Sequence, residues 1–240
     1  AYLDDAQASL EASLDRGLTW GATYTFGKAL DTGTDYSGTA ANNDISKGRS
    51  QSQFGAFDDK KGLSALDSTH SLLLHWVWDV PRIKGWQISG STLFKSGTPF
   101  TLYVGSDAPG FGNVDGGPSD RPNIVDPSIL GMTVGNPDTA QSILRRERFA
   151  YITPGDARGS LGRNTFRKGG IANVNAAVSR SWRWGPGGER TIALRAEAFN
   201  LGNHPQFDEP QRNLSSPAFG KITNTLNDGR VLQIGLRLGL

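Results

Sequence analysis

Seven stretches of the chain alternate apolar and polar residues with a period of two. The first sets Ala8, Leu10, Ala12 and Leu14 against Gln7, Ser9, Glu11 and Ser13. The second sets Leu18, Trp20, Ala22, Tyr24 and Phe26 against Thr19, Gly21, Thr23 and Thr25. The third carries Leu72, Leu74, Trp76, Trp78 and Val80, and the fourth Trp86, Ile88, Gly90, Thr92 and Phe94. The fifth carries Ala172, Val174, Ala176, Val178, Trp182 and Trp184, and Arg180 interrupts its apolar row. The sixth carries Ile192, Leu194, Ala196 and Ala198, and the last Leu232, Ile234, Leu236, Leu238 and Leu240. Successive side chains of a strand point to opposite faces, so each stretch predicts a strand with one apolar and one polar face. The third and fourth are the least regular, because Leu73, Val77 and Leu93 fall on the polar side.

The connections alternate too. Asp15-Arg16-Gly17, Pro81 to Gly85 and Gly185 to Glu189 have the Gly and Pro of tight hairpin turns. The other three connections run to about 40, 70 and 30 residues and are rich in Gly, Asp, Asn, Ser and Pro. Structureless loops of that length are unusual in a compact aqueous domain. Short turns at one end and long loops at the other are the rule in transmembrane barrels. Strand length agrees: a tilted barrel strand crosses in about 9–11 residues.

All six Trp residues share the apolar parity of their strands: Trp20, Trp76, Trp78, Trp86, Trp182 and Trp184. Each lies close to a short turn. Indole favours the membrane interface, because its ring is apolar and its N–H needs a partner. The six are therefore expected to form an interfacial aromatic belt, with Tyr24, Phe26 and Phe94 starting a second one farther along. The competing reading packs them in the core of a soluble sandwich, which has no reason to gather every Trp at one end.

Composition narrows the class. Cys is 0, which excludes disulfides and thiolate chemistry. A net charge of +2 lacks the concentrated basic excess of nucleic-acid binders. Mean hydropathy is −0.41 and no apolar run approaches a membrane helix. Alternating barrel strands keep mean hydropathy low, so a barrel stays open. Residues 1–14 show no signal peptide pattern. The fold expected is all-β: an antiparallel transmembrane barrel, partial, with about seven strands present. Single-chain bacterial barrels have even strand numbers. Seven strands would leave unpaired edges in lipid, which is costly. Residues 1–240 are thus expected to be the C-terminal portion of a larger barrel whose missing strands precede Ala1.

Several phrases of the chain resemble a known family. They are Thr23 to Asp31 (TYTFGKALD), Asp67 to His70 leading to Val80-Pro81, and Gly85 to Gly90 (GWQISG). They continue with Ser96 to Phe100 (SGTPF), Arg121-Pro122-Asn123, Gly162-Arg163-Asn164, Ala196 to Phe207 (AEAFNLGNHPQF) and Ser216 to Thr223 (SPAFGKIT). In this order they resemble the C-terminal barrel of an Oar-like TonB-dependent receptor, a family with a carboxypeptidase-regulatory-like domain at the N-terminus. The resemblance implies a barrel of about 22 strands. It also implies location in the Gram-negative outer membrane and energised uptake of a scarce nutrient: a siderophore, a vitamin or an oligosaccharide. Partners implied are outer-membrane lipid, the plug domain of the same full-length chain, the TonB complex and the nutrient, with no nucleic acid. The TonB box and plug are not among these residues.

No motif points to a chemical step, so the chain is expected not to be an enzyme and to need no cofactor. His70 and His75 fall on opposite faces of one strand and cannot chelate together. His204 sits in a loop, and no H-x-x-x-H pattern exists. Asp31-x-Gly-x-Asp35 has the start of a calcium loop without its later ligands and reads as a polar loop. Arg145-Arg146-Glu147-Arg148 reads as a solvated charge run after a possible helical turn at Ala140 to Leu144. Glu11, His75, Lys95, Arg195, Glu197 and Arg237 lie on the polar parity and are candidates to face the lumen, with Asp79 and Arg183. Loops Asp31 to Leu66 and Leu102 to Gly170 are the candidates for substrate capture. A passive porin, an adhesin barrel and a soluble secreted carbohydrate-binding sandwich are the alternatives.

Overall fold

The computed structural model describes residues 1–32, 61–114, 120–156 and 158–239. In chain order the strands are β1 (Tyr2–Leu14), β2 (Leu18–Asp31), β3 (Gly62–Leu63), β4 (His70–Asp79) and β5 (Trp86–Lys95). They continue with β6 (Pro99–Phe100), β7 (Asn123–Ile124), β8 (Thr133–Val134), β9 (Phe149–Ala150) and β10 (Phe166–Lys168). The last are β11 (Ile171–Trp184), β12 (Arg190–Phe199) and β13 (Val231–Gly239). Among the described residues one short α-helix, α1, spans Pro137–Ile143. No helix among the described residues is long and apolar enough to cross a membrane.

The seven long strands coincide with the seven alternating stretches. They form one antiparallel sheet in the order β1-β2-β4-β5-β11-β12-β13, with β3 added at the far end of β2. The three short turns bend where Gly or a left-handed residue is needed: Gly17 has φ 76° in the first, Arg82 75° and Gly85 83° in the second, and Gly185 102° and Gly188 71° in the third. All three lie at one end of the sheet. The strands also run past the regular alternation. β1 begins at Tyr2 and β2 reaches Asp31, because their ladder pairs Tyr2 with Leu30 and Asp4 with Lys28. The sheet is open: β1 and β13 are its two edges and are not paired with each other.

Register keeps the two faces separate across the whole sheet. Ala12, Trp20, Trp76, Gly90, Ala176, Ala198 and Leu232 stand in one row of partners, and every one has an even number. Even rows therefore share one face and odd rows the other. A slip of one residue at any ladder would mix them. Two glycines make room for rings on their neighbours. A Cβ on Gly21 would come within 2.4 Å of the His75 ring, and one on Gly90 within 2.8 Å of the Trp76 ring.

The buried core is elsewhere. Among the described residues Ala177 is the one buried apolar residue of the seven long strands. Phe100, Leu102, Ile129, Val134, Ala140, Leu144, Phe149, Leu161, Phe166, Leu214 and Phe219 form a single cluster. They come from the β5–β11 and β12–β13 connections. Those loops fold into a small domain at the end opposite the turns. Phe149 packs edge-on against Phe166 and Phe219, with centroids 6.2 and 5.6 Å apart. Helix α1 is closed at its start by a reciprocal pair: Asn136 accepts from the Thr139 N–H at 2.8 Å, and Thr139 Oγ1 accepts from the Asn136 N–H at 2.9 Å.

Candidate functional site

The even face is greasy and uncovered. Leu232, Ile234, Leu236 and Leu238 are 62–77% exposed. No second layer of described residues covers them. Leu10, Leu14, Leu194, Val174 and Val178 are exposed on the same face. Exposed apolar patches of this extent belong against another apolar phase. All six Trp lie on this face near the turns. Trp20 stands directly opposite Trp76, whereas Trp86 stands opposite Arg180, and Trp182 lies one even row nearer the turns. The Trp line thus slides along the strands from β2 to β11. Tilted strands impose that slide on any level belt. Toward the loop end, Tyr24 Oη meets His70 Nδ1 at 2.7 Å, and the Phe26 and His70 rings are 5.3 Å apart.

The odd face is polar, and all six lumen candidates stand on it. Glu11 opposes Gly21, which in turn opposes His75, and His75 opposes Ser91. Arg195 and Glu197 are joined on one strand by an ion pair of 2.8 Å. His75, Ser91, Asn175, Arg195 and Glu197 line one groove of about 290 Å³. Lys95 lies at the loop end of β5, and Arg237 near the turn end of β13, so neither joins that groove. Asp79 accepts from Gln87 Nε2 at 2.9 Å, and Arg183 faces Thr191. Sequence reasoning missed Ser91 and Asn175. Asn175 donates to Ser91 at 3.4 Å and accepts the Asn200 N–H at 3.0 Å, tying the groove to the β12–β13 loop. Their even spacing from the named candidates was the available signal.

Two charge pairs, one buried and one partly buried, clamp the loop domain onto the mouth of the sheet. Arg163 donates to the Asp31 carboxylate and its backbone carbonyl, both at 2.5 Å, with side chains 2% and 7% exposed. Arg167 pairs with Asp67, whose other oxygen accepts the Ala29 N–H at 2.6 Å. Asn164 adds a donation to Leu63 O at 2.6 Å and accepts from Thr101 Oγ1 at 2.7 Å. Asp31 is thus the buried partner of an arginine at the end of β2 and not part of a solvated polar loop; Asp35 lies outside the described residues. No cluster of three or more potential metal ligands occurs among the described residues.

The Arg145 to Arg148 run is exposed at Arg145, Arg146 and Glu147, as a solvated run is, but two of its arginines also make tertiary contacts. Arg146 donates to Leu214 O and, at 2.6 Å, to Ser216 O, and its guanidinium lies 5.9 Å from the Phe219 ring centre. Arg148 pairs with Asp126 at 3.4 Å. Arg146 thereby ties the β5–β11 connection to the β12–β13 connection. Asp126 is held below its ordinary value of 3.8, first by the Ser128 hydroxyl, then by the Ser128 N–H and the Arg148 charge. His204 is exposed in the β12–β13 connection; its backbone N–H donates to Asn200 Oδ1 at 3.0 Å and its ring Nδ1 lies 2.8 Å from Pro205 O.

A two-faced antiparallel sheet with short turns at one end and a folded loop domain at the other is the wall of an outer-membrane barrel. The chain belongs to the outer membrane beta barrel domain family, whose model matches residues 4–233. Its place is the outer membrane of a Gram-negative bacterium. No curated protein and no solved structure matches it.

Proposed function

We propose that the chain is the C-terminal wall of an Oar-like TonB-dependent receptor that takes up a scarce nutrient. The observation that carries this is the folded loop domain clamped over one end of the polar face. A passive pore needs open access, whereas a receptor needs a shaped, rigid entrance on which to capture a ligand. In this reading Glu11, His75, Lys95, Arg195, Glu197 and Arg237 face the lumen and contact the plug or the passing nutrient. Trp20, Trp76, Trp78, Trp86, Trp182 and Trp184 sit at the membrane interface on the short-turn side. The residues act by shape and hydrogen bonding, without a chemical step or cofactor.

The open sheet supports a larger barrel. β1 and β13 both run from the loop end to the turn end, so pairing them would need a parallel ladder in an antiparallel barrel. Their outer backbone groups need further strands, since lipid cannot satisfy them. The test is growth on limiting nutrient with the full-length protein in its own cells. Uptake that stops when TonB is deleted supports the reading. Uptake that continues without TonB makes the protein a passive pore.

A further inference from the structure

The even rows of the seven long strands carry four charged residues: Asp4, Lys28, Arg180 and Arg190. Asp4 and Lys28 are direct partners near the loop end. Arg180 is different. It lies in the Trp line near the turns, opposite Trp86 on one side and Leu194 on the other. Its guanidinium sits 5.3 Å from the Trp86 ring centre and 4.8 Å from that of Trp182. Its Nε is buried and has no hydrogen-bond partner. No ion pair joins Arg180 to any described residue. A cation on a lipid-facing row costs free energy, least near the interface. A guanidinium has five donors in a planar fork that suits a phosphate. The two indoles hold that fork in place through cation–π contact.

We propose that Arg180, Trp86 and Trp182 form a binding site for the phosphate of a phospholipid in the periplasmic leaflet. This rests on the reading that the even face meets lipid. Short turns are periplasmic in outer-membrane barrels, which places Arg180 at headgroup depth on that side. Arg190, opposite Trp184 one strand over, adds positive charge to the same rim. The odd-numbered Arg183 points to the other face and takes no part.

The test uses the full-length protein in nanodiscs that contain phosphatidylglycerol, with lipid retention read by native mass spectrometry. Arg180→Gln is expected to lower phosphatidylglycerol retention about tenfold, the loss of one charge-assisted contact. Trp182→Leu is expected to lower it less, and Arg183→Gln to leave it unchanged. Equal retention in Arg180→Gln and Arg183→Gln overturns the site. So does displacement of phosphatidylglycerol by inorganic phosphate, which marks a free-anion site. Should Arg180→Gln fail to fold by heat-modifiable mobility, Trp182→Leu decides alone: reduced retention supports the site and unchanged retention overturns it. Quenching of Trp fluorescence by brominated acyl chains reports lipid contact separately. Quenching without loss of retention in Arg180→Gln rejects the headgroup site alone. Absent quenching rejects the lipid-facing reading and the site with it.

Discussion

The sheet and the loop domain obey opposite rules within one chain. In the loop domain, Phe100, Leu102, Ile129 and Phe166 are at most 1% exposed, as in any aqueous protein. In the sheet, Ile234 and Leu232 are more than 70% exposed. The backbone ladder holds the sheet together, and its apolar surface waits for a solvent that is not water. The loops have no such neighbour, so they must gather their own core. The difference teaches that hydrophobic burial here has two destinations, one inside the protein and one in the bilayer.

The largest expected effect separates the two regions. Phe166→Ala removes a ring that packs against Phe100 and Phe149. It should cost the loop domain about 3–5 kcal/mol. Limited proteolysis should then cut the 95–171 connection, while heat-modifiable mobility of the barrel persists. Loss of both together would mean that the loops and sheet fold as one unit.

The next effect probes the joint between them. Asp67→Asn leaves Arg167 without its charged partner in a site where the Asp67 side chain is fully buried. Breaking such a pair costs about 3–5 kcal/mol at most, and less here because Arg167 keeps some exposure and donates to Gly97 O. Hydrogen exchange should quicken at Ala29, whose N–H that carboxylate accepts. Unchanged exchange there would remove the clamp from the account.

The smallest effect lies on the outer surface. Asp126 has its titration pulled below 3.8 by Ser128 and Arg148. A depressed carboxylate stabilises the fold above its ordinary range and loses that contribution as pH falls through the depressed value. Acid should therefore loosen the Asp126–Arg148 contact below about pH 4. Asp126→Asn should flatten that dependence, read by proteolysis of the loop against pH.

The sheet was readable in the sequence because a strand writes its environment locally. Two neighbours of each residue suffice to assign a face, which is why all seven strands and the parity of every Trp agree with the ladders. The loop core was not readable. Phe149 finds Phe166 and Phe219 across long stretches of irregular chain, and no short period announces it. Charged loop residues misled for the same reason. Arg146 looks solvated beside Arg145 and Glu147, yet it serves carbonyls nearly seventy positions away. Asp31 and Arg163 are separated by 132 residues, so their pairing could only come from the fold.

One pair of substitutions tests most directly whether the even face meets hydrocarbon. Ile234 is 77% exposed, so in water Arg at that position should change stability by no more than about 0.5 kcal/mol. Against lipid near mid-membrane, Ile234→Arg should cost about 2–4 kcal/mol in bilayer refolding of the full-length protein. Gly235→Arg, on the odd face with nothing within 4 Å of an added Cβ, should cost far less. A large loss at 234 and a small one at 235 is the predicted result; equal losses at the two positions contradict it.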